Sequence, residues 1–593
     1  MFAQNKMHAG LGGESLESLL LNTQNIYRQA DLERRAGLLI PVFGLRHDGD
    51  IGIGNTKALK NAIAFCAEYG FSLIQILPIC ETDGNNSPYL SLSTFALEPA
   101  LLSATPEDFP GLTKNDFDLI VKSKTFASCD KHDFINYASV KNLAYELHFQ
   151  AFTRFLSEHL DTHSTLAGEF QDFCAKEWDV WLENYSIYRT CIDLNDGKSS
   201  WVDWPEKLHA PENAKNFVAA SKNGSLLQEF YCYRQWVAYR QWNDVKQFAQ
   251  EHNCRLIGDI PFGVNLNGVD VWANKNLFDI SRSLGAPAEY GFQADEFTKN
   301  WGQNWGARPY IWEEHIKNDY TWWKQRINQT LKCCHDIRLD HALGAFRAYV
   351  FPWEPKEDRE YSHLSPEQAK QKAGGRLPEF YPRPDHGREN IEFNKRLGTL
   401  FFSNLMQACE PHKARILAED AGACVPQYVR GALNDLNIPG MSFVGMERHY
   451  GKKEYIKAHE IPELKVAYFG THDHPALRSR IEEIINNQDS RTGRNEVRRL
   501  LRLAGWGDNM ELREYTPDLQ RSLIMELMRS PANYALMNVL DLLNDTSSWN
   551  NPGSAGSECW SLRLSKPLEY YAEDTEIRKT LDLLKTCILE HRA

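Results

Sequence analysis

Eight short apolar runs constrain this chain more than anything else in it. Each has strand length, and each is followed by Gly, Pro or polar residues and then by a helical stretch. They are GLLIPVF (37–43), SLIQILP (72–78), RLIGDIPF (255–262), DIRLD (336–340), RILAED (415–420), GMSFVGM (440–446), KVAYFGTHD (465–473) and NYALMNVL (533–540). Strands that alternate with helices form parallel sheets, because a parallel neighbour needs a crossover long enough to hold a helix. Two architectures accept eight such units, an open doubly wound sheet and a closed barrel. Carboxylates gather at the C-terminal ends of several runs, at Asp259, Asp340, Glu419 and Asp473. Barrel enzymes assemble their sites at that end, so the expected fold class is α/β, a (β/α)8 TIM barrel.

Two stretches are too long for ordinary β/α connections. Residues 79–254 include YASVKNLAYELHFQAFTRFLSEHL and LLQEFYCYRQWVAYRQWNDVKQFAQEH, whose apolar positions recur at helical spacing. They predict a mainly helical insertion over about 100–250. Residues 353–390 are rich in Pro, Gly and charge and follow the run carrying Asp340. They are expected over the site face as a loop insertion, either a lid or a plain solvated loop. On this division residues 1–36 are an N-terminal extension, and 37–593 are the barrel with its insertions.

Composition narrows the setting. A net charge of -13 without a dense Lys/Arg tract argues against nucleic acid as a partner. Thirteen cysteines without CxxC pairs suggest neither a disulfide framework nor a zinc ribbon, and a reducing, cytoplasmic location is expected. No run approaches the roughly 20 apolar residues of a membrane span, and the first residues lack the basic start and apolar core of a signal peptide. No membrane partner is expected. Sixteen Trp residues are many; sugar rings commonly stack on indoles, although core packing accounts for most Trp in any chain.

Side chains alternate across a strand, so Arg338 and Asp340 point to the same side, which at the end of a barrel strand is the central cavity. A carboxylate beside a guanidinium has its pKa lowered by roughly 1 to 3 units, which would leave Asp340 ionised and available as a nucleophile. A structural ion pair explains the same two residues. Glu419, at the next polar strand end, becomes a proton donor if its surroundings are more apolar. Two carboxyl groups with different environments are what breaking a glycosidic bond requires. His472 and Asp473, in GTHD, can hydrogen-bond sugar hydroxyls. The pair His472 and His474 also raises a metal-dependent barrel hydrolase as a competing class.

Taken in order, SPYLSLSTFALEP (87–99), GDIPFGV (258–264), VDVWAN (269–274), GQNWGARPYIW (302–312), RLDH (338–341), AEDAG (418–422), PGM (439–441), GTHD (470–473) and NNPGS (550–554) resemble the motifs of the 4-α-glucanotransferases. This is the amylomaltase or disproportionating-enzyme family, glycoside hydrolase family 77, and the resemblance runs from about residue 37 to about residue 565. It implies a barrel like that of the α-amylases and a retaining double displacement without metal or organic cofactor. The implied substrates are α-1,4-glucans and maltooligosaccharides, with glucose as an acceptor. Carried onto this sequence, Asp340 would be the nucleophile, Glu419 the acid and base, and Asp473 a third carboxylate stabilising the transition state. Arg338 would position Asp340, Asp259 and His472 would contact sugar, and Tyr89 would stack on the ring at the cleavage point. Ser87, in the same SPY motif, and His341, in RLDH, match substrate-binding positions, and Trp305 matches an aromatic of the acceptor loop. The sequence departs from the pattern at Leu343, where an Arg is usual, at His474 in place of Asn, and at Ala288 and Glu289 in place of Pro and Asp. These departures bear on the balance between transfer and hydrolysis. They also motivate a third reading, a glucan-binding protein on an inactive barrel.

Overall fold

All eight runs form strands of one parallel sheet in the computed structural model, which describes residues 15–21, 26–83, 86–121, 133–289, 295–422, 425–448, 454–507, 511–552 and 558–592. The strands are β1 (Arg35–Leu39), β2 (Leu73–Gln75), β3 (Arg255–Ile260), β4 (Asp336–Leu339), β5 (Ile416–Ala418), β6 (Gly440–Phe443), β7 (Lys465–Tyr468) and β8 (Tyr534–Asn538). Their order is β5-β4-β3-β2-β1-β8-β7-β6, with the first and last strands side by side. The two strands at the ends of that order are consecutive in sequence, and the Ala418 N–H donates to the Pro439 carbonyl at 3.0 Å between them. The sheet is therefore a closed barrel and not an open, doubly wound one. β1 begins at Arg35, ahead of the apolar run, because Arg35 and Ala36 already pair with Tyr534 and Ala535.

The seam between β5 and β6 depends on side chains. At its N-terminal end the buried Gln29 amide donates to the Ile416 and Asn437 carbonyls at 3.1 and 3.3 Å, and its oxygen accepts from the Ile416 N–H at 2.6 Å. At the other end the buried Asp420 carboxylate accepts from the Met441 N–H at 2.6 Å and pairs with Lys465 at 3.2 Å. Gly440 leaves room for that carboxylate, since a Cβ there would stand 2.3 Å from an Asp420 oxygen.

Inside the barrel the side chains form layers, as expected for staggered strands. Arg255 and Asp336 pair at the N-terminal end, with 2.7 and 2.8 Å contacts. Leu73, Ile257, Leu417, Val466 and Leu536 form an apolar layer above them. Asp259, Arg338, Gln75 and Tyr468 follow toward the C-terminal end, where the Tyr468 hydroxyl donates to Gln75 at 2.5 Å. A buried apolar layer thus separates one charged end from the other.

Helices surround the sheet: α1 (Thr56–Glu68), α2 (Gly224–Glu251), α3 (Thr321–Cys333), α4 (Arg388–Cys409), α5 (Gln427–Asp435), α6 (Pro517–Arg529) and α7 (Thr575–His591). Asn55 caps α1 by accepting from the Lys57 and Ala58 N–H groups. Between β6 and β7 the described residues contain only a 3-10 turn, Ala458–Glu460. Before α2 come further helices at Tyr137–Phe155, Thr165–Glu177, Glu183–Leu194 and Pro211–Ala220. Aromatic contacts join these helices to one another and to α2, with Phe155 packed on Phe170 and on Tyr233 and Trp236 of α2. Six Trp side chains, among them Trp236, Trp272 and Trp323, are fully buried, so core packing consumes much of the Trp content.

The connections after β3 and β4 build a second, antiparallel sheet. Its strands run in the order Glu379–Tyr381, Ala348–Phe351, Ser283–Ala286 and Gln303–Asn304. Residues 353–390 also carry helices at Asp358–Tyr361 and Pro366–Lys372. Among the described residues no helix is long and apolar enough to cross a membrane.

The seam yields a test. Gln29→Ala strips a buried N–H and carbonyl of β5 of their partner, a loss of about 1–3 kcal/mol, and should lower the thermal midpoint by roughly 1–2 °C with no change in the circular dichroism of the folded state.

Candidate active site

The C-terminal ends of β3, β4, β5 and β7 carry the four carboxylates anticipated there. Asp259 and Arg338 are register partners on β3 and β4, and both face inward. That register decides the electrostatics. The Arg338 Nη1 meets both Asp259 oxygens at 2.6 and 2.7 Å, and its contact with Asp340 is longer, at 3.1 Å. Arg338 is thus first the partner of Asp259 and second that of Asp340. The adjacency of Arg338 and Asp340 in sequence suggested the reverse, because cross-strand register is invisible in a local reading.

The direction of the Asp340 shift is the reverse of the expected one, although the group stays mostly ionised at neutral pH. Burial pushes its carboxyl up to about 6; Arg338 opposes this, and the negative charges of Asp259 and Asp473 add to it. The guanidinium does lower the pKa, as expected, but burial and two neighbouring anions outweigh it. Glu419 is pushed further, to about 8, by burial and then by the charge of Asp340. At neutral pH the pair therefore holds an Asp340 that is mostly ionised and a Glu419 that is mostly protonated.

Glu419 is held by the backbone that follows Asp340. The His341 N–H donates to Glu419 Oε2 at 2.7 Å, and the Ala342 N–H donates to the Glu419 carbonyl at 3.1 Å. His341 sits in the left-handed region, at φ 43°, which costs a residue bearing a Cβ about 1–2 kcal/mol. Its ring is kept neutral, with a pKa lowered to about 4 by burial and by Arg347. The Trp305 ring meets the His341 ring edge to face, at 4.8 Å and 86°. Gly302, at φ 101°, begins the Trp305 turn, and a Cβ there would lie 2.0 Å from the Ala286 carbonyl oxygen.

Tyr89 closes the network from the loop after β2. Its hydroxyl donates to Asp259 at 2.7 Å, so its 2.8 Å contact with His472 Nε2 must be donated by the imidazole. His472 therefore carries its proton on Nε2, which also lies 3.2 Å from Asp473. Burial alone would raise the Asp473 carboxyl, but His472 and the Asn550 amide, 2.6 Å away, hold it well below the usual carboxylate range. Ser87 shapes the same loop, its Oγ accepting from the Tyr89 N–H at 3.4 Å.

His474 turns away from the network. Its Nδ1 accepts from the Thr471 N–H at 3.2 Å, and its ring lies 5.1 Å from that of Phe443. The two imidazoles of HDH do not converge, and among the described residues no group of three or more His, Cys, Asp or Glu is placed to hold a metal. Leu343 is half-buried in the turn after His341, and Glu289 reaches toward Gly422, beyond Glu419.

These features are those of a carboxylate-based glycoside site, and comparison with known proteins agrees. The profile of the 4-alpha-glucanotransferase family matches residues 40–569. The chain belongs to this family. A 4-alpha-glucanotransferase of Aquifex aeolicus is 29% identical over 555 residues, covering 92% of this chain and 98% of the relative. One from Chlamydia caviae is 28% identical over 446 residues, 74% of each chain. Among solved structures, an amylomaltase from Streptococcus agalactiae in complex with acarbose superposes with a TM-score of 0.71 at 21% identity, over 95% of this chain and 100% of that one. An amylomaltase from Corynebacterium glutamicum gives 0.73 at 17% identity, over 98% and 76%. At such identities the structural matches establish the shared fold alone.

Two site residues were not singled out from the sequence. Asn550 stands in the NNPGS motif, the signal that could have marked it. Trp560, whose ring lies 5.6 Å from both Tyr89 and His472, carries no local signal.

Removing the cation tests the charge balance. In Arg338→Met the Asp340 carboxyl should titrate about 1–3 units higher, followed by 13C NMR of labelled aspartate; an unmoved titration would show that Arg338 does not set it.

Proposed function

We propose that this protein is a retaining 4-α-glucanotransferase that moves α-1,4-glucan segments from a donor to the 4-hydroxyl of glucose or a maltooligosaccharide. One observation carries the reading: at adjacent strand ends Asp340 lies 3.1 Å from the Arg338 guanidinium, whereas Glu419 is held by the His341 N–H, and burial raises the Glu419 carboxyl further than that of Asp340. The first is then placed as a nucleophile and the second as an acid, the division of labour that a double displacement needs.

In the first step an Asp340 carboxylate oxygen bonds to the anomeric carbon as the C1–O4 bond breaks, and Glu419 gives its proton to the departing O4. In the second, Glu419, now a carboxylate, takes the proton of the acceptor 4-hydroxyl. That oxygen attacks C1, and the bond to Asp340 breaks. Two inversions restore the α-configuration. Asp473, kept ionised by His472 and Asn550, would accept from sugar hydroxyls, and Asp259 and His472 would complete those contacts. Tyr89, stacked on His472 at 5.3 Å, offers an aromatic wall where the sugar ring would lie. Water is the competing acceptor, so transfer requires an acceptor platform and a site that excludes water; Trp305 supports such a platform.

Starch, glycogen and shorter maltooligosaccharides share the linkage this chemistry cleaves, and all serve as donors on this reading. A cytoplasmic location accords with the buried free thiols of Cys66, Cys191, Cys254 and Cys333.

Incubation with maltotriose tests the reading directly. Transfer produces a ladder of longer oligosaccharides plus glucose; glucose and maltose alone mean hydrolysis, and unchanged sugar means binding only. Asp340→Asn should lower kcat by roughly 10³-fold or more. Glu419→Gln should cost about 10²–10⁴-fold on maltooligosaccharides, and much less on a donor whose leaving group needs no proton. Because Asp340 must be ionised and Glu419 protonated, kcat/KM should rise with pH through about 6 and fall through about 8. A profile flat across that range would refute the assignment.

A further inference from the structure

Trp305 is fixed from outside its own loop, and this bears on which acceptor the site uses. The side chain before it, Asn304, donates to Asp358 Oδ1 at 2.8 Å, and the same oxygen accepts from the Trp353 indole N–H at 3.0 Å. Asn304 Oδ1 accepts from Ser283 Oγ at 2.5 Å, and that Oγ accepts from the Gly306 N–H, after Trp305, at 3.0 Å. The Trp305 N–H itself donates to the Leu284 carbonyl at 2.8 Å. Both neighbours of Trp305 are thus tied into one chain of hydrogen bonds that ends on Asp358. A second tie runs in parallel. Arg308, fully buried, donates to Glu354 at 2.8 Å and to the Gly306 carbonyl at 3.2 Å.

Asp358 and Glu354 lie in the connection after β4, whereas Trp305 lies in the one after β3. The hydrogen bonds therefore couple two excursions that also meet in the small antiparallel sheet and where Phe297 and Trp301 pack with Phe351, Trp353 and Tyr361. From Trp305 the contact continues to the His341 ring, and the His341 N–H holds Glu419. We propose that Asp358 is a positioning residue for acceptor choice: by holding Asn304 and Trp353 on one oxygen it keeps the Trp305 indole against His341, where it favours an incoming sugar over water at the second step. This rests on the transferase reading above and goes beyond it, since Asp358 bonds to Asn304 and Trp353 and not to either reacting carboxylate. Burial raises its carboxyl to about 6, against the lowering effect of the hydrogen bonds from Asn304 and Trp353.

Transfer and hydrolysis share the same covalent intermediate, so their ratio isolates the acceptor step from Asp340 and Glu419. The test measures that ratio with maltotriose as donor and added glucose as acceptor, in wild type, Asp358→Ala and Asp358→Asn. Asp358→Ala removes the shared oxygen and should lower the ratio about fivefold to tenfold through a higher acceptor KM, with the hydrolytic kcat within about twofold of wild type. Asp358→Asn keeps an amide oxygen in that place and should restore most of the ratio. An unchanged ratio in Asp358→Ala overturns the proposal, as does a parallel loss of transfer and hydrolysis, which is the mark of a purely structural role. A wild-type protein that makes no ladder at all would instead defeat the transferase reading.

Discussion

A single buried guanidinium among too many carboxylates governs this site. Placing an ion in the interior costs several kcal/mol even after relaxation, so Arg338 needs anionic partners, and β3 and β4 supply them by register. Asp259 takes the two shortest contacts. Asp340 receives what is left of the same positive charge, and burial then raises its proton affinity. Glu419 is raised further still by burial and by the charge of Asp340, against the lowering effect of the His341 N–H. Burial raises both reacting groups, and one cation shared unequally between them helps to leave Glu419 the higher of the two. A slip of one residue in β4 would turn Arg338 outward and remove the ranking altogether.

Much of this architecture is legible in the sequence because parallel strands are buried on both faces and read as short continuous apolar runs. All eight runs are strands, and the carboxylates at their ends converge. What could not be read locally is whatever depends on which strand lies next to which. Arg338 has Asp340 beside it in sequence but Asp259 beside it in space. The direction in which Asp340 shifts follows from burial by a whole barrel mouth, which no local pattern encodes. The small sheet joins strands of two to four residues from two different connections, segments too short for a periodic signal. Trp560 reaches the site only because the chain after β8 folds back over Tyr89, and nothing in its own neighbourhood announces that.

Scaffold and loops divide the work. Groups that change charge or bond sit at strand ends, where both neighbours and the layer beneath hold them. The aromatic surfaces, Tyr89, Trp305 and Trp560, come from the connections after β2, β3 and β8. Sugar rings are recognised through their apolar faces and their hydroxyls together, so such a site needs aromatic walls as well as carboxylates. Tyr89 serves both needs: its ring stacks with His472, and its hydroxyl ties the wall to Asp259 and so to Arg338. The departures Leu343, Glu289 and His474 fall on turns around this arrangement and leave the core of charges as it is. Among them His474 is used locally, its ring bound back to Thr471.

The coupling between Asp340 and Glu419 also explains how one residue can serve as acid and then as base. Glu419 holds its proton strongly because of burial and because Asp340 carries a negative charge nearby. Once Asp340 is esterified by the sugar, that charge is gone, while Arg338 remains. The second largest cause of the raised proton affinity is thereby removed, and the guanidinium, which acts in the opposite sense, keeps acting. Glu419 has then delivered its proton to the leaving sugar and sits in surroundings that favour the carboxylate, the form required to draw a proton from the incoming hydroxyl. When the ester breaks, Asp340 recovers its charge and Glu419 its affinity for the proton it has just accepted. The cycle needs no outside switch, because forming and breaking the bond at Asp340 resets the charge that Glu419 senses.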